Sequence, residues 1–413
     1  MGALWHPFSD MGAVTQNGEF VVSRGEGVYV WDADGRQYLD ATAGLWFVNV
    51  GHGRAELAEA AAKQMREIAA YYTFGDVATP STIELAERLA SIAPMADAKV
   101  FFTSGGSDSI DTALKLARRY WHEQGKPGKN IVIGRDRAYH GTHVGGTALA
   151  GIPGNREGYG TLMQDAATVE WDSAKALLAE IERLGADRIA AFFCEPVIGA
   201  GGVYPPPAGY LAEVRQVCRD NDILFVADEV ITGYGRIGGA WFASTRYDLS
   251  PDMVTTAKGL TSGYLPMGAV LIAGHVAAPF HKPGAGVWWR HGYTYSGHAT
   301  SAAVALANLD IVEREDLLSS AARLESTLAK EFGVLAAHPA VAEVRSGFGA
   351  VTAIQMVDPA DAMKMIKLLR KHGVSGRAVG AGGLQVSPAL IMTDSQVSEL
   401  VAGFDEALRE LQG

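Results

Sequence analysis

The middle of this chain alternates between short, uninterrupted apolar runs and stretches of helical periodicity, and this alternation limits the possible folds more than any other feature. Between two of the runs, apolar residues recur at helical spacing at Ile110, Leu114, Ala117 and Trp121. Apolar runs without polar alternation are typical of strands that are buried on both faces of a parallel sheet. The pattern therefore predicts an α/β protein with a mostly parallel central sheet between helices. The runs are Lys99–Thr103, Ile131–Gly134, Ile189–Cys194, Ile223–Ala227, Met253–Thr256 and Ala269–Ala273.

The two ends of the chain have a different pattern. Near the N-terminus, Val28–Trp31 and Gln37–Leu39 are predicted to form short strands that are separated by turns. After about residue 299 the chain is predicted to be mostly helical, with strand-like stretches at Val351–Gln355 and Leu384–Val386. We therefore expect a smaller α+β domain that is built from both ends of the chain.

A length of 413 residues suggests two or three domains. We place the boundaries so that an N-terminal segment, residues 1–55, joins the small domain. Residues 56–309 form the large α/β domain, and residues 310–413 form the C-terminal small domain. No internal repeat or long polar linker interrupts this division.

The composition argues against some partners and compartments. A net charge of −11 repels phosphate backbones, so nucleic acid is not an expected partner. No apolar run approaches the roughly 18 residues of a membrane helix, and residues 1–10 do not resemble a signal peptide. Cys194 and Cys218 fit no disulfide framework or metal motif. We expect buried thiols in a cytoplasmic protein.

In an open α/β sheet, ligands bind where the strands end, and three motifs lie there. Residues 103–108, Thr-Ser-Gly-Gly-Ser-Asp, follow a strand and open a helix, so they could seat a phosphate or form an ordinary turn. Asp228 ends another strand and could hold a protonated ring nitrogen, cap a helix or form a structural salt bridge. Lys258 follows a buried run, where a lysine can lose its proton and form a Schiff base, although most lysines are simply solvated.

Together these motifs match the requirements of pyridoxal phosphate. This cofactor needs a phosphate seat, a carboxylate for its ring nitrogen and a lysine for its carbonyl group. Tyr139, which follows the strand at Ile131–Gly134, offers an aromatic face for the cofactor ring. Glu195 places a second carboxylate at the same edge of the sheet.

Two further patterns are similar to a dinucleotide-binding motif and a metal-binding motif, but they do not have the context that such motifs need. Residues 233–238 match G-x-G-x-x-G, but dinucleotide binding needs that loop to run directly from a strand into a helix, and this one does not. His140 and His143 are close in sequence, but no convergent Cys/His spacing accompanies them. We therefore expect no metal site.

The segment from Asp228 to Lys258 carries a family resemblance. It contains Asp-Glu-Val-Ile-Thr-Gly-Tyr-Gly-Arg at 228–236, Pro251-Asp252 and Ala257-Lys258-Gly259. These motifs resemble those of the class III pyridoxal-phosphate aminotransferases of fold type I, and the resemblance extends from Trp5 to Pro388. It implies a transaminase that is a homodimer with shared active sites, or a dimer of dimers.

The resemblance also implies roles for individual residues. Lys258 would bind the cofactor and move the proton, and Asp228 would hold the pyridine nitrogen. Thr294 would reach the phosphate from the partner subunit. The implied cofactor-binding residues are Gly106, Ser107, Tyr139, Asp228, Val230, Lys258 and Thr294. Gly105 departs from the family pattern, where a hydroxyl residue is usual, and this shifts the expected phosphate contacts towards the backbone and Thr294.

Within the family, the chain is most similar to the omega-amino acid (amine):pyruvate branch. Trp46, Tyr72 and Tyr139 would line the substrate pocket. Ala200 stands where 4-aminobutyrate and ornithine aminotransferases carry a glutamate, which favours pyruvate over 2-oxoglutarate as the acceptor. Arg377 is the candidate for the substrate carboxylate, although the ungapped position falls on Ala378.

The motifs leave several functions open. A 4-aminobutyrate/ornithine-type aminotransferase that uses 2-oxoglutarate, an aminomutase and a dialkylglycine decarboxylase would all share them. A catalytically silent scaffold would share them in part, and the complete set of Lys258, Asp228 and Tyr139 argues against it. The sequence favours amino transfer from an amine or omega-amino acid to pyruvate in two half-reactions.

Overall fold

The computed structural model of the chain describes residues 2–412. The α helices are α1 (Met11–Asn17), α2 (Ala43–Trp46), α3 (Ala55–Ile68), α4 (Pro80–Ile92), α5 (Gly106–Glu123), α6 (Val144–Leu149), α7 (Ala174–Leu184), α8 (Tyr210–Asp220), α9 (Ala243–Arg246), α10 (Gly274–His281), α11 (Ala299–Arg314), α12 (Leu317–Gly333), α13 (Asp361–Lys371) and α14 (Asp394–Gln412). The strands are β1 (Val22–Glu26), β2 (Tyr29–Asp32), β3 (Gln37–Asp40), β4 (Lys99–Thr103), β5 (Ile131–Arg135), β6 (Ala166–Val169), β7 (Ile189–Cys194), β8 (Leu224–Asp228), β9 (Met253–Thr256), β10 (Gly268–Ile272), β11 (Val341–Arg345), β12 (Thr352–Met356), β13 (Val374–Ser375), β14 (Arg377–Val379) and β15 (Gly383–Val386).

A mostly parallel sheet forms the centre of the molecule. Within the described residues it has seven strands, in the order β4-β10-β9-β8-β7-β5-β6. Strands β5 to β9 pair in parallel, whereas β10 is antiparallel to both β4 and β9. Each of the six predicted apolar runs is a strand of this sheet, with bounds that differ from the prediction by at most one residue. The predicted fold class is confirmed.

Both faces of the central sheet are buried, which explains why its strands do not alternate between apolar and polar residues. Phe192 and Phe193 are neighbours on β7 that belong to two different core clusters on opposite faces of the sheet. On one face α5 contributes Ile110 and Trp121 to the core. On the other face Leu211 of α8 packs into the second cluster. A strand between two helical layers needs apolar residues at every position.

The two ends of the chain meet in a separate core, as predicted. Strand β13 pairs in parallel with β3, with Val374 opposite Leu39. A core cluster includes Val28 and Leu39 from the N-terminal part together with Leu328 and Leu400 from the C-terminal part. The exact domain boundaries at residues 55 and 309 remain a prediction.

Several strands were not predicted. The C-terminal part was expected to contain two strands, but it also contains β11, β13 and β14. Strand β11 is at an edge and is partly exposed, and β13 and β14 are only two and three residues long. Strand β6, at the edge of the central sheet, is mostly half-buried. Short edge strands of this kind give little hydrophobic signal.

In the part of the chain that the structure describes, none of the helices combines the length and the apolar character that crossing a lipid bilayer requires. Cys194 and Cys218 are both buried and free, as predicted.

Candidate active site

A small cavity lies where the parallel strands of the central sheet end. Strands β5, β7, β8 and β9 run in the same direction, so the loops that follow them meet at one edge. Six of the predicted cofactor-binding residues line this cavity: Gly106, Ser107, Tyr139, Asp228, Val230 and Lys258. The fold therefore assembles residues that are up to 152 positions apart in the chain (258 − 106 = 152).

Asp228, the last residue of β8, is held by three donors. Its Oδ2 is 2.8 Å from Nδ1 of His140. Its Oδ1 accepts from the hydroxyl of Thr255 at 3.1 Å and from the backbone N–H of Val230 at 3.2 Å. Because the residue is only 4% exposed, these contacts determine which way the carboxylate points into the cavity.

His140 is buried at 0% exposure and contacts Asp228 through only one of its ring nitrogens. If Asp228 accepts, Nδ1 carries the proton and Nε2 is the unprotonated nitrogen. Among the described residues Nε2 has no hydrogen-bond partner. The hydrogen bond that orients His140 among the described residues is therefore the one to Asp228.

Lys258 lies in a constrained turn at the end of β9. Its φ of +43° is in the left-handed region, which is unfavourable for a residue with a side chain. The amide of Asn308 holds the turn by donating to the carbonyl groups of Gly259 at 2.9 Å and Leu260 at 3.0 Å. A Cβ atom at Gly259 would lie 2.6 Å from Nδ2 of Asn49, so a residue with a side chain does not fit at this position.

The environment of Lys258 changes its protonation. Burial lowers the pKa of its ammonium group to about 8, although the carboxylates of Asp228 and Glu195 act in the opposite direction. The positive charge of Arg377 adds to the decrease. A neutral amine, which can act as a nucleophile or a base, is therefore much more accessible near neutral pH than in a solvated lysine.

Glu195 connects two of the loops around the cavity. Its Oε1 accepts from the backbone N–H of Tyr139 at 2.9 Å, and its Oε2 accepts from that of Gly199 at 2.9 Å. Burial raises the pKa of Glu195, and His140 partly offsets this increase. Tyr139, which lies half-buried at the wall of the cavity, is thus anchored through its backbone.

The N-terminus of α5 forms a cradle of backbone groups. A Cβ atom at Gly106 would lie 2.9 Å from Cγ1 of Val230, and one at Gly141 would lie 2.5 Å from Oγ of Ser107. The Ser107 hydroxyl accepts from the backbone N–H of Thr142 at 3.1 Å. Free N–H groups at the start of an 18-residue helix favour an anion, and the glycines allow it to approach closely.

The remaining predicted residues lie outside the cavity of the single chain. Trp46 is 2% exposed and packs in a core cluster with Ile231, which lines the cavity. Arg377, on β14, donates from Nη1 to Oε1 of Gln385 at 3.3 Å. Burial raises the pKa of Tyr139, and the positive charge of Arg377 partly offsets this increase. Arg377 is therefore near Tyr139, which lines the cavity. Tyr72 and Thr294 are exposed, and neither is among the residues that line the cavity of the single chain.

The prediction from sequence missed the roles of two residues. His140 was considered only as a metal ligand, and Glu195 was noted only as a carboxylate at the sheet edge. Their contacts with Asp228 and Tyr139 cross 88 and 56 positions of the chain. The one available signal was that each directly follows, or nearly follows, a buried strand, as Asp228 and Lys258 do.

Comparison with known proteins identifies the family. The sequence profile described as aminotransferase class-III matches residues 11–408. The chain belongs to this family. It is a class-III aminotransferase, as the motifs around Asp228 and Lys258 predicted.

Relatives and solved structures agree with the family. The putrescine–pyruvate aminotransferase of Pseudomonas aeruginosa is 40% identical over 96% of this chain and 91% of its own length. A gamma aminobutyrate transaminase of Solanum lycopersicum is 34% identical over 95% of this chain and 81% of its own length. A PLP-bound amine transaminase from an uncultivated Pseudomonas species superimposes with a TM-score of 0.94 at 36% identity, covering 99% of both chains.

Class-III aminotransferases depend on pyridoxal phosphate. The cavity of this class-III aminotransferase fits the group. A Cβ atom at Gly106 or Gly141 would collide with Val230 or Ser107, so glycine keeps the backbone beside the N-terminus of α5 free of side chains. The carboxylate of Asp228 and the amine of Lys258 line the same small cavity. The three chemical features that the cofactor needs are thus present together.

Proposed function

We propose that this class-III aminotransferase transfers the amino group of a primary amine or omega-amino acid to pyruvate, with Lys258 as the residue that binds the cofactor and moves the proton. The observation that carries the proposal is the convergence of Lys258, Asp228 and the N-terminus of α5 on one cavity. The lowered pKa of Lys258, about 8, supports the role of its Nζ as a base.

When bound, pyridoxal phosphate supplies a carbonyl group for the amine and a conjugated ring that accepts electrons. Asp228, oriented by His140 and Thr255, would hold the ring nitrogen in its protonated form. Lys258 Nζ would take a proton from the substrate carbon and deliver it to another carbon. Both steps need a neutral lysine, which burial favours.

Four residues would position the ring and the phosphate. Tyr139 and Val230 line the cavity and would pack on opposite faces of the ring. Gly106 and Ser107 would bind the phosphate with backbone N–H groups and a hydroxyl. Gly106 lies close to Val230, so the backbone that would bind the phosphate is next to a residue that would pack on the ring. This closeness supports the binding of one cofactor molecule by both groups of residues.

The choice of acceptor rests on two positions. Ala200 has no carboxylate that could pair with Arg377, unlike the glutamate expected in enzymes that use 2-oxoglutarate. Arg377 would bind the carboxylate of pyruvate, and its position near Tyr139 supports this role. The second candidate, a 4-aminobutyrate-type enzyme with 2-oxoglutarate as acceptor, is favoured by the similarity to the tomato gamma aminobutyrate transaminase.

We further propose a homodimer, or a dimer of dimers, in which each active site contains residues of both subunits. Tyr72 and Phe74 are 46% and 51% exposed in the single chain, and Tyr295, next to Thr294, is 66% exposed. Large exposed aromatic residues close together are typical of a subunit interface. Thr294 would then reach the phosphate of the partner, and Tyr72 its substrate.

We place the enzyme in the cytoplasm. Cys194 and Cys218 are free and buried, and burial raises the pKa of the Cys194 thiol to about 11. Such thiols are inert and suit a reducing compartment.

The test is the visible spectrum of the cofactor-loaded enzyme, recorded before and after amines are added without a keto acid. We expect a yellow enzyme that bleaches with an accepted amine and regains its colour with pyruvate, but not with 2-oxoglutarate. Lys258→Ala should remove the bleaching. Recovery with 2-oxoglutarate alone would replace the pyruvate assignment with the 4-aminobutyrate-type assignment.

Product analysis distinguishes amino transfer from isomerisation, decarboxylation and the absence of catalysis. An aminomutase would convert one substrate completely without a keto acid, and a decarboxylase would release carbon dioxide. A chain that takes up no cofactor, or whose colour no amine changes, would be a silent scaffold. The proposal requires one molecule of alanine for each molecule of amine consumed.

A further inference from the structure

The strand that carries Arg377 is docked against a loop of the central domain at one very close contact. The backbone N–H of Gly380 donates to the carbonyl of Ala200 at 3.1 Å. Gly380 has a φ of +54°, and a Cβ atom there would lie 2.4 Å from the carbonyl oxygen of Gly201 and 2.8 Å from Cα of Gly202. Any side chain at position 380 would therefore push the two backbones apart.

Residues 199–204, which we name the docking loop, are held from the other side by Arg345. This side chain is 7% exposed, and its guanidinium donates from Nη2 to the carbonyl of Gly202 at 2.7 Å and from Nε to that of Val203 at 3.1 Å. The same guanidinium lies 4.4 Å from the ring centre of Tyr204. Planar stacking and forked hydrogen bonds together hold the docking loop in one position.

Gln355 closes this network onto the turn that contains Gly380. Its Oε1 accepts from Nη2 of Arg345 at 3.1 Å, and its Nε2 donates to the carbonyl of Ala381 at 2.8 Å. Arg345 and Gln355 lie on β11 and β12, which are neighbours in one sheet with β15 and β14. Arg345 thus holds the docking loop, Gln355 holds the turn after β14, and the hydrogen bond between these two side chains connects the two segments.

The other end of the docking loop is joined to the active site. Gly199 donates to Oε2 of Glu195 at 2.9 Å, and Oε1 of Glu195 accepts from the backbone of Tyr139 at 2.9 Å. A continuous path of backbone and hydrogen bonds therefore runs from the cavity wall to Gly380, three residues after Arg377 (380 − 377 = 3).

Arg377 has only a weak local anchor. Its bond to Gln385 is long, at 3.3 Å, and the residue is opposite Gln385 in the β14–β15 pair. A long flexible side chain without strong partners is positioned mainly by the backbone that carries it. The docking of the turn on residues 199–204 is thus the contact that sets where the guanidinium can reach.

We propose that Gly380 is a positioning residue that sets the reach of Arg377 towards Lys258, and that it thereby determines how well the enzyme accepts substrates with a carboxylate next to the reacting carbon. Substrates without a carboxylate do not use Arg377 and do not depend on Gly380. The inference rests on the proposed role of Arg377 in carboxylate binding.

The test compares Gly380→Ala with Gly373→Ala in the cofactor-loaded enzyme. Gly373 also has a positive φ, +75°, but a Cβ atom there would meet nothing within 4 Å, so this control carries the backbone strain without the clash. Single-turnover bleaching is measured with L-alanine, which has the carboxylate, and with racemic 1-phenylethylamine, which lacks it. Binding of propionate, measured by titration calorimetry, gives a readout that does not depend on turnover.

We expect Gly380→Ala to weaken the apparent binding of L-alanine and of propionate about tenfold, with the limiting rate little changed, since an ionic hydrogen-bonded contact of this kind is worth about one power of ten. The bleaching rate of Gly380→Ala with 1-phenylethylamine should stay within about twofold of the rate of the wild-type enzyme. Gly373→Ala should behave like the original enzyme with every ligand.

Arg377→Met gives two further outcomes that test the inference, and Arg345→Lys is the replacement variant. If Arg377→Met weakens the binding of L-alanine and Gly380→Ala does not, Gly380 has no positioning role. If Arg377→Met leaves the binding of L-alanine unchanged, Arg377 does not bind the carboxylate. The inference about Gly380 is then wrong as well. If Gly380→Ala does not fold, Arg345→Lys replaces it, because it keeps the charge but loses the forked contact with residues 202 and 203. Arg345→Lys should then weaken the binding of L-alanine and of propionate and spare the reaction of 1-phenylethylamine.

Discussion

At the scale of single residues, the reactivity of this site comes from burial. Lys258 has no acidic neighbour within four residues after it in the chain, yet burial lowers its pKa to about 8 and two distant carboxylates limit the decrease. Asp228 is likewise oriented by His140, 88 positions away. The chemistry therefore depends on what surrounds each side chain in the folded protein.

The lowered pKa of Lys258 predicts a pH dependence. If Lys258 binds the cofactor as proposed, only its neutral amine would react with pyridoxal phosphate, so the rate of cofactor uptake by the cofactor-free chain should rise with pH and be half-maximal at about pH 8. For an ordinary lysine the half-maximal rate would lie at about pH 10.4. Stopped-flow absorbance measures the rate. Asp228→Asn removes a carboxylate that raises this pKa, so its midpoint should move to lower pH. A midpoint above pH 10 would contradict the burial argument.

His140 should matter for turnover because it orients Asp228. His140→Phe removes the 2.8 Å contact with Oδ2 and leaves the carboxylate with two donors. We expect kcat to fall about tenfold, in line with the loss of one charge-assisted hydrogen bond. Steady-state kinetics with bound cofactor checks this. His122→Phe, on the exposed end of α5, is the control and should leave kcat unchanged. An equal kcat for both variants would show that Thr255 and Val230 are sufficient to orient Asp228.

At the scale of elements, α5 combines two tasks. Its apolar face, with Ile110 and Trp121, anchors it on the central sheet, and its first turn at Gly106 presents free N–H groups to the cavity. Because the helix is packed on the sheet, the hydrophobic core below it sets the position of this backbone cradle, which is the proposed phosphate site. The glycine at the first helical position is required by its contact with Val230.

This contact predicts different effects for two adjacent glycines. Gly106→Ala should weaken the binding of pyridoxal phosphate about tenfold, because its Cβ would lie 2.9 Å from Cγ1 of Val230 and displace the cradle or the ring pocket. Gly105→Ala is the matched control, since Gly105 is extended and a Cβ atom there meets nothing within 4 Å. Equilibrium dialysis measures the dissociation constants. Equal constants for the two variants would exclude a steric role for Gly106.

At the scale of the whole molecule, the glycine-rich segment at 233–238 has a structural task. Arg236 in this segment is fully buried and donates to the carbonyl groups of Ala350 at 3.1 Å and Pro388 at 2.6 Å. It also donates to Oδ1 of Asn49 at 2.7 Å. Burial lowers the pKa of Arg236 to about 9, and the nearby Asp40 partly offsets this decrease. The segment thus joins the central domain to both ends of the chain.

Loss of Arg236 should destabilise the fold. Arg236→Met leaves three buried acceptors without their donor, and we expect a decrease of about 3 kcal/mol in the free energy of unfolding. Urea denaturation followed by tryptophan fluorescence measures it. Arg219→Met, at an exposed position of α8, should leave the urea midpoint unchanged. A similar midpoint for both variants would show that Arg236 is not a structural link.

The proposed homodimer with shared active sites predicts complementation between two defective chains. Lys258→Ala and Thr294→Ala homodimers should each lose activity, the first completely. A hybrid dimer of the two chains contains one site with an intact Lys258 and an intact Thr294 from the partner subunit. Mixed, refolded or co-expressed chains should therefore regain activity beyond the sum of the two homodimers. Strictly additive activity would mean that Thr294 acts within its own subunit, or not at all.

The sequence alone was sufficient for the fold class, the six apolar strands of the central sheet and the family. Strands buried on both faces need apolar residues at every position, and the motifs around Gly106, Asp228 and Lys258 are local in the chain. These features can be recognised because the physical requirement falls on consecutive residues.

Only the tertiary structure decided how distant parts meet. It showed that β10 runs antiparallel to its neighbours, that His140 orients Asp228, and that Gly380 packs against residues 199–204. Edge strands such as β11 were missed because half-exposed strands carry a weak hydrophobic pattern. Contacts between residues far apart in the chain leave no periodicity in the sequence, since they arise only when the whole core packs and brings the loops at the strand ends together.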